Sequence, residues 1–163
     1  AIARRLEAAG AEFLVSPCNP AYVFEPAIID AVDIPIVSII DVTIDAIPDD
    51  CNTVGLLATD GCLKAGVYQR GLEAAQLDAL EPTRDEMHEL MKAVHAIKAG
   101  RADPATGTVL LSLAQALVER GAGAIIAGCT EIPLALEQSM LEVPLLSSTD
   151  ILAQRTVQLA LSE

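Results

Sequence analysis

Two cysteines stand at matching points of a repeated pattern, and a thiol set beside a carbon acid can take or return a proton. Leu6, Gly10, Ala11 and Cys18 recur as Leu117, Gly121, Ala122 and Cys129, each pair 111 positions apart. Pro35, Ser38 and Asp41 recur as Pro144, Ser147 and Asp150 at an offset of 109, because the second copy is two residues shorter. A fold repeat with one thiol at the same place in each half predicts two thiols facing each other across a pseudo-twofold axis. That arrangement suits a reaction needing a base on one side of a carbon and an acid on the other.

Each cysteine follows a short apolar run, Phe13-Leu14-Val15 or Ala124-Ile125-Ile126-Ala127, and precedes residues that start helices. Asn19 is a cap candidate with Pro20 at the first helical position, and Thr130 is a cap candidate ahead of Glu131. A thiol at a helix N-terminus meets unpaired N–H groups and the positive end of the dipole, which predicts a pKa lowered from about 8.5 toward neutrality. Both cysteines also fall just past strand ends, where doubly wound sheets gather their ligands. A small buried filler at a strand end is commonplace. Two fillers, however, have no reason to share position, cap and strand end.

The elements that must carry these thiols are legible as apolar runs of four to six residues alternating with segments of helical period, the pattern of parallel strands joined by crossover helices. Strands are predicted at 12–16, 35–39, 53–59, 77–80, 122–128 and 143–147. A helix over 84–99 presents Met87, Leu90, Met91, Val94 and Ile97 on one face, and another over 106–120 presents Leu110, Leu113, Leu117 and Val118. Pro48-Asp49-Asp50 reads as a turn between halves. The expected architecture is α/β, with two pseudo-symmetric three-layer domains and mostly parallel sheets. A second domain spans 49–145, and an incomplete first domain is made of 1–48 with 146–163. The incompleteness is itself an expectation from the repeat: the counterpart of the run Val54–Ala58 would lie about 57 positions before Ala1, so roughly 60 residues of the first half are expected upstream.

Composition narrows the function classes. A chain of 163 residues with 52% hydrophobic content can bury a real core. Its net charge of −13 argues against nucleic-acid backbones and anionic membrane surfaces as partners. No apolar run reaches membrane-spanning length. Cys18, Cys51, Cys62 and Cys129 show no CxxC spacing and form no metal-type pattern with His88 or His95, so no metal is expected. A reduced, cytoplasmic setting fits such unpaired cysteines.

The segments Ser16-Pro17-Cys18-Asn19, Val54–Gly61, Ile97-Lys98-Ala99-Gly100 and Ala127–Pro133 resemble the cofactor-independent aspartate/glutamate racemase family across essentially the whole chain. The resemblance implies an amino-acid racemase that interconverts L- and D-aspartate or glutamate by two bases, without pyridoxal or any other cofactor. One cysteine thiolate removes the α-proton and the other, as thiol, returns one on the opposite face. It assigns Cys18 and Cys129 to catalysis, and Asn19, Thr59, Thr130 and Lys98 to the substrate's polar ends. It also implies a small amino-acid substrate and a homodimer. Asn19 and Thr130 equally serve as caps, Thr59 as a strand-end turn, and Lys98 as a cation near a helix C-terminus. Related readings are a hydantoin racemase, a maleate isomerase, an arylmalonate decarboxylase, or a non-catalytic remnant that only binds a dicarboxylate.

Two departures from the family pattern stand out. Cys18-Asn19-Pro20-Ala21-Tyr22 replaces the family's Cys-Asn-Thr-Ala-His, and Cys62 follows Thr-Asp-Gly where threonine is common, reading as a filler. Glu131 occupies the place of a histidine in glutamate racemases. The family's carboxylate-binding arginine falls in the region expected upstream.

Overall fold

Continuous apolar runs without polar alternation bury a strand on both faces, and the larger sheet is built from such runs. The computed structural model describes residues 2–162. Strands β3 (Thr53–Leu57), β4 (Asp78–Leu80), β5 (Ala124–Ala127) and β6 (Leu145–Ser147) form a parallel sheet in the order β4-β3-β5-β6. A smaller parallel sheet pairs β1 (Leu14–Val15) with β2 (Ile36–Val37). All six fall inside the predicted runs and are shorter at one or both ends.

Alternate residues of β3 and β5 feed two separate cores. Val54, Leu56, Ala124 and Ile126 face α3 (Ile39–Ile44), α4 (Asp60–Ala65), α5 (Val67–Ala74) and α8 (Ser148–Ala160). Leu57, Ile125 and Ala127 face α6 (Arg84–Lys98) and α7 (Pro104–Glu119), which contribute Leu90, Val94, Ile97, Leu110, Leu113 and Leu117. The larger sheet thus has the three-layer α/β arrangement expected, beside a two-stranded sheet in the first part of the chain. Helix α7 starts two residues earlier than its apolar period indicates, because the Asp103 carboxylate accepts from the Thr106 backbone N–H at 2.9 Å and Pro104 takes the first turn. Among the described residues no helix is long and apolar enough to cross a membrane.

The repeat is reproduced bond by bond. Helix α1 (Ile2–Ala8) and α7 each end on a glycine with positive φ, +94° at Gly10 and +104° at Gly121. The next backbone N–H returns to a leucine carbonyl, Ala11 to Leu6 and Ala122 to Leu117, both at 3.1 Å. Leu14 pairs with Ile36 as Ile125 pairs with Leu145. Ser38 caps α3 by accepting from Asp41 N–H, and Ser147 caps α8 by accepting from Asp150 N–H, both at 3.4 Å. The repeat-related helices α3 and α8 pack on one another.

The expected division of the chain needs one adjustment. The repeat predicts residues 146–163 in the first unit, yet Leu146 pairs with Ile126 and Ser147 with Ala127 in the larger sheet. Only α8, which reaches across to α3, belongs with the first unit by packing.

Candidate active site

Parallel strands deliver all their carboxyl ends to one side, and the residues singled out from the sequence follow those ends. Cys18 lies beyond β1, Thr59 beyond β3, and Cys129 with Thr130 beyond β5, which neighbours β3. Helix α4 opens at Thr59, whose hydroxyl accepts from the Cys62 backbone N–H at 3.3 Å. The 3-10 turn Asn19–Phe24, which begins just after Cys18, packs against α4. Cys62 on α4 is fully buried, and its thiol is pushed up to about 12 by burial, then by the charges of Cys129 and Cys18. Cys62 thus feels both Cys18 and Cys129 from its buried place on α4.

The helix caps expected beside the cysteines are not formed. Cys18 itself occupies the cap position, with no side-chain cap bond, and Asn19 is the first residue of the 3-10 turn with Pro20 behind it. In the second copy Glu131 precedes a 3-10 turn of three residues, Ile132–Leu134, and Thr130 is exposed. Both turns carry a proline near their start, which favours a tight turn over a regular helix. A turn this short has few aligned peptide dipoles to offer an anion.

The ionisation of Cys129 accordingly goes the other way from the expectation. Its thiol is pushed up to about 11, first by burial and then by the hydrogen bond it donates to the Glu131 carboxylate. That bond measures 2.8 Å from Sγ to Oε2, and the same oxygen accepts from the Thr130 hydroxyl at 3.0 Å. Lys98 Nζ lies 3.7 Å from the other oxygen, Oε1. Burial pulls the Glu131 carboxyl upward, but the donors Cys129 and Thr130 and the Lys98 charge prevail and hold it below its usual range. At neutral pH the pair is thiol and carboxylate, with the proton on sulfur and aimed at oxygen.

Of the residues expected at the site, Cys129, Thr130 and Lys98 meet directly through Glu131. Thr59 uses its hydroxyl oxygen to cap α4. Cys18 is exposed, whereas Asn19 is buried with its carboxamide oxygen accepting from the Tyr68 hydroxyl at 2.6 Å. Glu131 is the residue the sequence undervalued, and its position two residues after Cys129 on a turn was the available signal. Among the described residues no three His, Cys, Asp or Glu side chains converge as a metal site.

Several known proteins resemble this chain. The chain is 28% identical over 156 residues to the broad specificity amino-acid racemase of Bacillus subtilis, covering 94% of itself and 66% of that protein, just under two thirds of its length. It is 40% identical over 126 residues to an uncharacterized protein of Pectobacterium carotovorum, covering 75% of itself and 83% of that protein. A crystal structure of an aspartate racemase homologue from Pyrococcus horikoshii superposes with a TM-score of 0.86 at 29% identity, over 99% of this chain and 71% of the other. The family model described as Asp/Glu/hydantoin racemase matches residues 1–156, and the chain belongs to that family.

Proposed function

We propose that the protein racemises an acidic amino acid, aspartate or glutamate, by proton exchange between Cys18 and Cys129 and without a cofactor. The observation that carries this reading is the matched placement of the two thiols in the repeat. They follow β1 and β5, strands paired in repeat-equivalent register in the two copies. The step balances simply. The thiolate of Cys18 takes the α-proton and becomes a thiol, the electron pair moves into the substrate carboxylate, and the thiol proton of Cys129 goes to the opposite face of the carbon.

The surroundings of the two thiols support this division. Cys129 is held as a thiol donating to Glu131, which suits it to the acid role, and the exposed Cys18 is left the role of base. In the reverse sense the roles exchange: the Cys129 thiolate left by the forward step takes the α-proton, and the Cys18 thiol returns one to the opposite face. Lys98 and Thr130, both exposed beside that carboxylate, are free to turn to a substrate carboxylate. The charge that develops on the substrate as its α-proton leaves has to be met by such fixed donors.

Incubation of the chain with each enantiomer of aspartate and glutamate in heavy water tests the proposal through α-deuterium incorporation. Exchange with at least one of the two acids, abolished by Cys18→Ala and by Cys129→Ala, is expected. No exchange, or exchange indifferent to both replacements, overturns it.

A further inference from the structure

Tyr68 has the form of a packing residue with a polar tip, yet its contacts are unusual. It is fully buried on α5, far in sequence from either cysteine. Its hydroxyl donates to Oδ1 of Asn19, the residue after Cys18, at 2.6 Å. Its ring edge lies against Gly128, the residue before Cys129: a Cβ at Gly128 would sit 3.0 Å from Tyr68 Cε2 and 3.0 Å from the Cβ of Ala58. Gly128 is in turn fixed to the larger sheet by its N–H bond to Leu57 O at 2.8 Å. One rigid side chain thus touches the chain neighbours of both thiols, one through a hydrogen bond and the other through van der Waals contact.

We propose that Tyr68 is a positioning residue that sets the separation and facing of Cys18 and Cys129. This inference rests on the two-thiol reading above and deepens it. The smaller β1-β2 sheet and the larger sheet share no strand pairing, so the distance between their strand ends depends on what is wedged between them. Tyr68 supplies a fixed spacer there, because an aromatic ring has only two torsions and both are locked by burial. Its phenol, raised by burial above its ordinary range, remains a donor throughout the working pH range. Gly128 follows from the same contact, since any side chain at that position pushes the ring and with it the Asn19 side.

The test is Tyr68→Phe, with Tyr22→Phe as its match. Tyr22 is also buried and donates to a backbone carbonyl, Val37 O at 2.9 Å, so both variants lose one buried phenolic hydrogen bond. Two readouts are taken: α-deuterium exchange kinetics, and the yield of Cys18–Cys129 links formed by a short bis-alkylating reagent in a Cys62→Ala background, assigned by mass spectrometry. Tyr68→Phe is expected to lower kcat about 10- to 100-fold with KM little changed, because misplacement of reacting atoms is felt in proton transfer more than in binding. It is also expected to slow or disperse cross-linking, while Tyr22→Phe does neither at a comparable melting temperature. Equal losses in both variants, or an unchanged linking rate in Tyr68→Phe, overturn the inference, as does a failure of the unsubstituted thiols to link at all. If Tyr68→Phe does not fold, Gly128→Ala displaces the ring from the other side and must slow the same link. If the chain shows no α-exchange, the racemase reading falls, and the linking rates still decide whether Tyr68 spaces the thiols.

Discussion

Replacing Glu131 by Gln should make Cys129 a better target for alkylation and a worse catalyst. The glutamine keeps the size and the hydrogen-bonding oxygen but removes the charge that holds the thiol proton. A hydrogen bond to a charged group contributes about 1.5–3 kcal/mol, which is about a 10- to 100-fold change in the fraction of thiolate. Burial, the larger cause of the raised pKa, stays in place, so the thiol does not return to its unperturbed behaviour. Because a less basic thiolate is also a weaker nucleophile, with a Brønsted slope near 0.5, the net gain in alkylation rate is roughly the square root, about 3- to 10-fold at pH 8.

The assay is timed iodoacetamide labelling, with the Cys129 and Cys18 peptides quantified in the same digest. Cys18 serves as the internal reference. Racemisation should move the other way and fall by about 100-fold, the contribution of a positioned acid–base group, since a neutral amide holds and orients the Cys129 S–H less firmly than the carboxylate does. Faster labelling with slower exchange distinguishes an electrostatic partner from a mere packing neighbour. If Cys129 labels at the same rate or more slowly in Glu131→Gln, the carboxylate is not what keeps the proton on sulfur, and the assignment of roles to the two thiols loses its basis.

Alkaline stability gives a second check. The folded pKa of Cys129, about 11, exceeds its reference value of 9.0, so above pH 9 the unfolded chain releases a proton that the folded chain keeps. Stability is intact below about pH 9 and declines by roughly 3 kcal/mol as pH rises to 11, with Cys62 acting in the same sense; urea titrations at pH 8 and pH 10.5 should show the loss shrink in Cys129→Ala. In the core, Gly55→Ala would place a methyl 2.6 Å from Ile125 Cδ1 and 3.1 Å from Leu117 Cβ, so it should cost about 1–3 kcal/mol by denaturant titration, and a neutral result would mean that the β3–α7 packing is looser than drawn.

How much of this was legible depended on whether the cause was local. The glycines at 10 and 121, the serine caps at 38 and 147 and the apolar strands act within a few residues of themselves, so their repetition in sequence carried over as repetition in space. The cap expectation at Asn19 failed because Cap-Pro patterns serve 3-10 turns as well as helices, and nothing local selects between them. The direction of the Cys129 pKa could not be read at all. It is set by burial among Leu57, Ile132 and Leu136 and by the turn that folds Glu131 back onto the sulfur, both products of tertiary packing. The contact made by Tyr68 was illegible for the same reason: its partner Asn19 is 49 residues away, and a tyrosine on an apolar helix face has the same local signature whichever partner it meets.

The repeat also explains why the two thiols cannot be equivalent in practice. The offset of 111 that aligns Cys18 with Cys129 aligns Asn19 with Thr130 and Pro20 with Glu131. The second copy therefore has a carboxylate where the first has a ring that neither accepts nor donates. The backbone is symmetric in register and caps, while the chemistry beside each sulfur is not: one thiol is exposed next to a proline, the other buried and donating to an anion. A racemase must serve both faces of one carbon, and symmetric backbones supply the geometry for that. The unequal neighbours supply something else: the Glu131 carboxylate holds a proton on the Cys129 sulfur, while Cys18 stands exposed with no such partner.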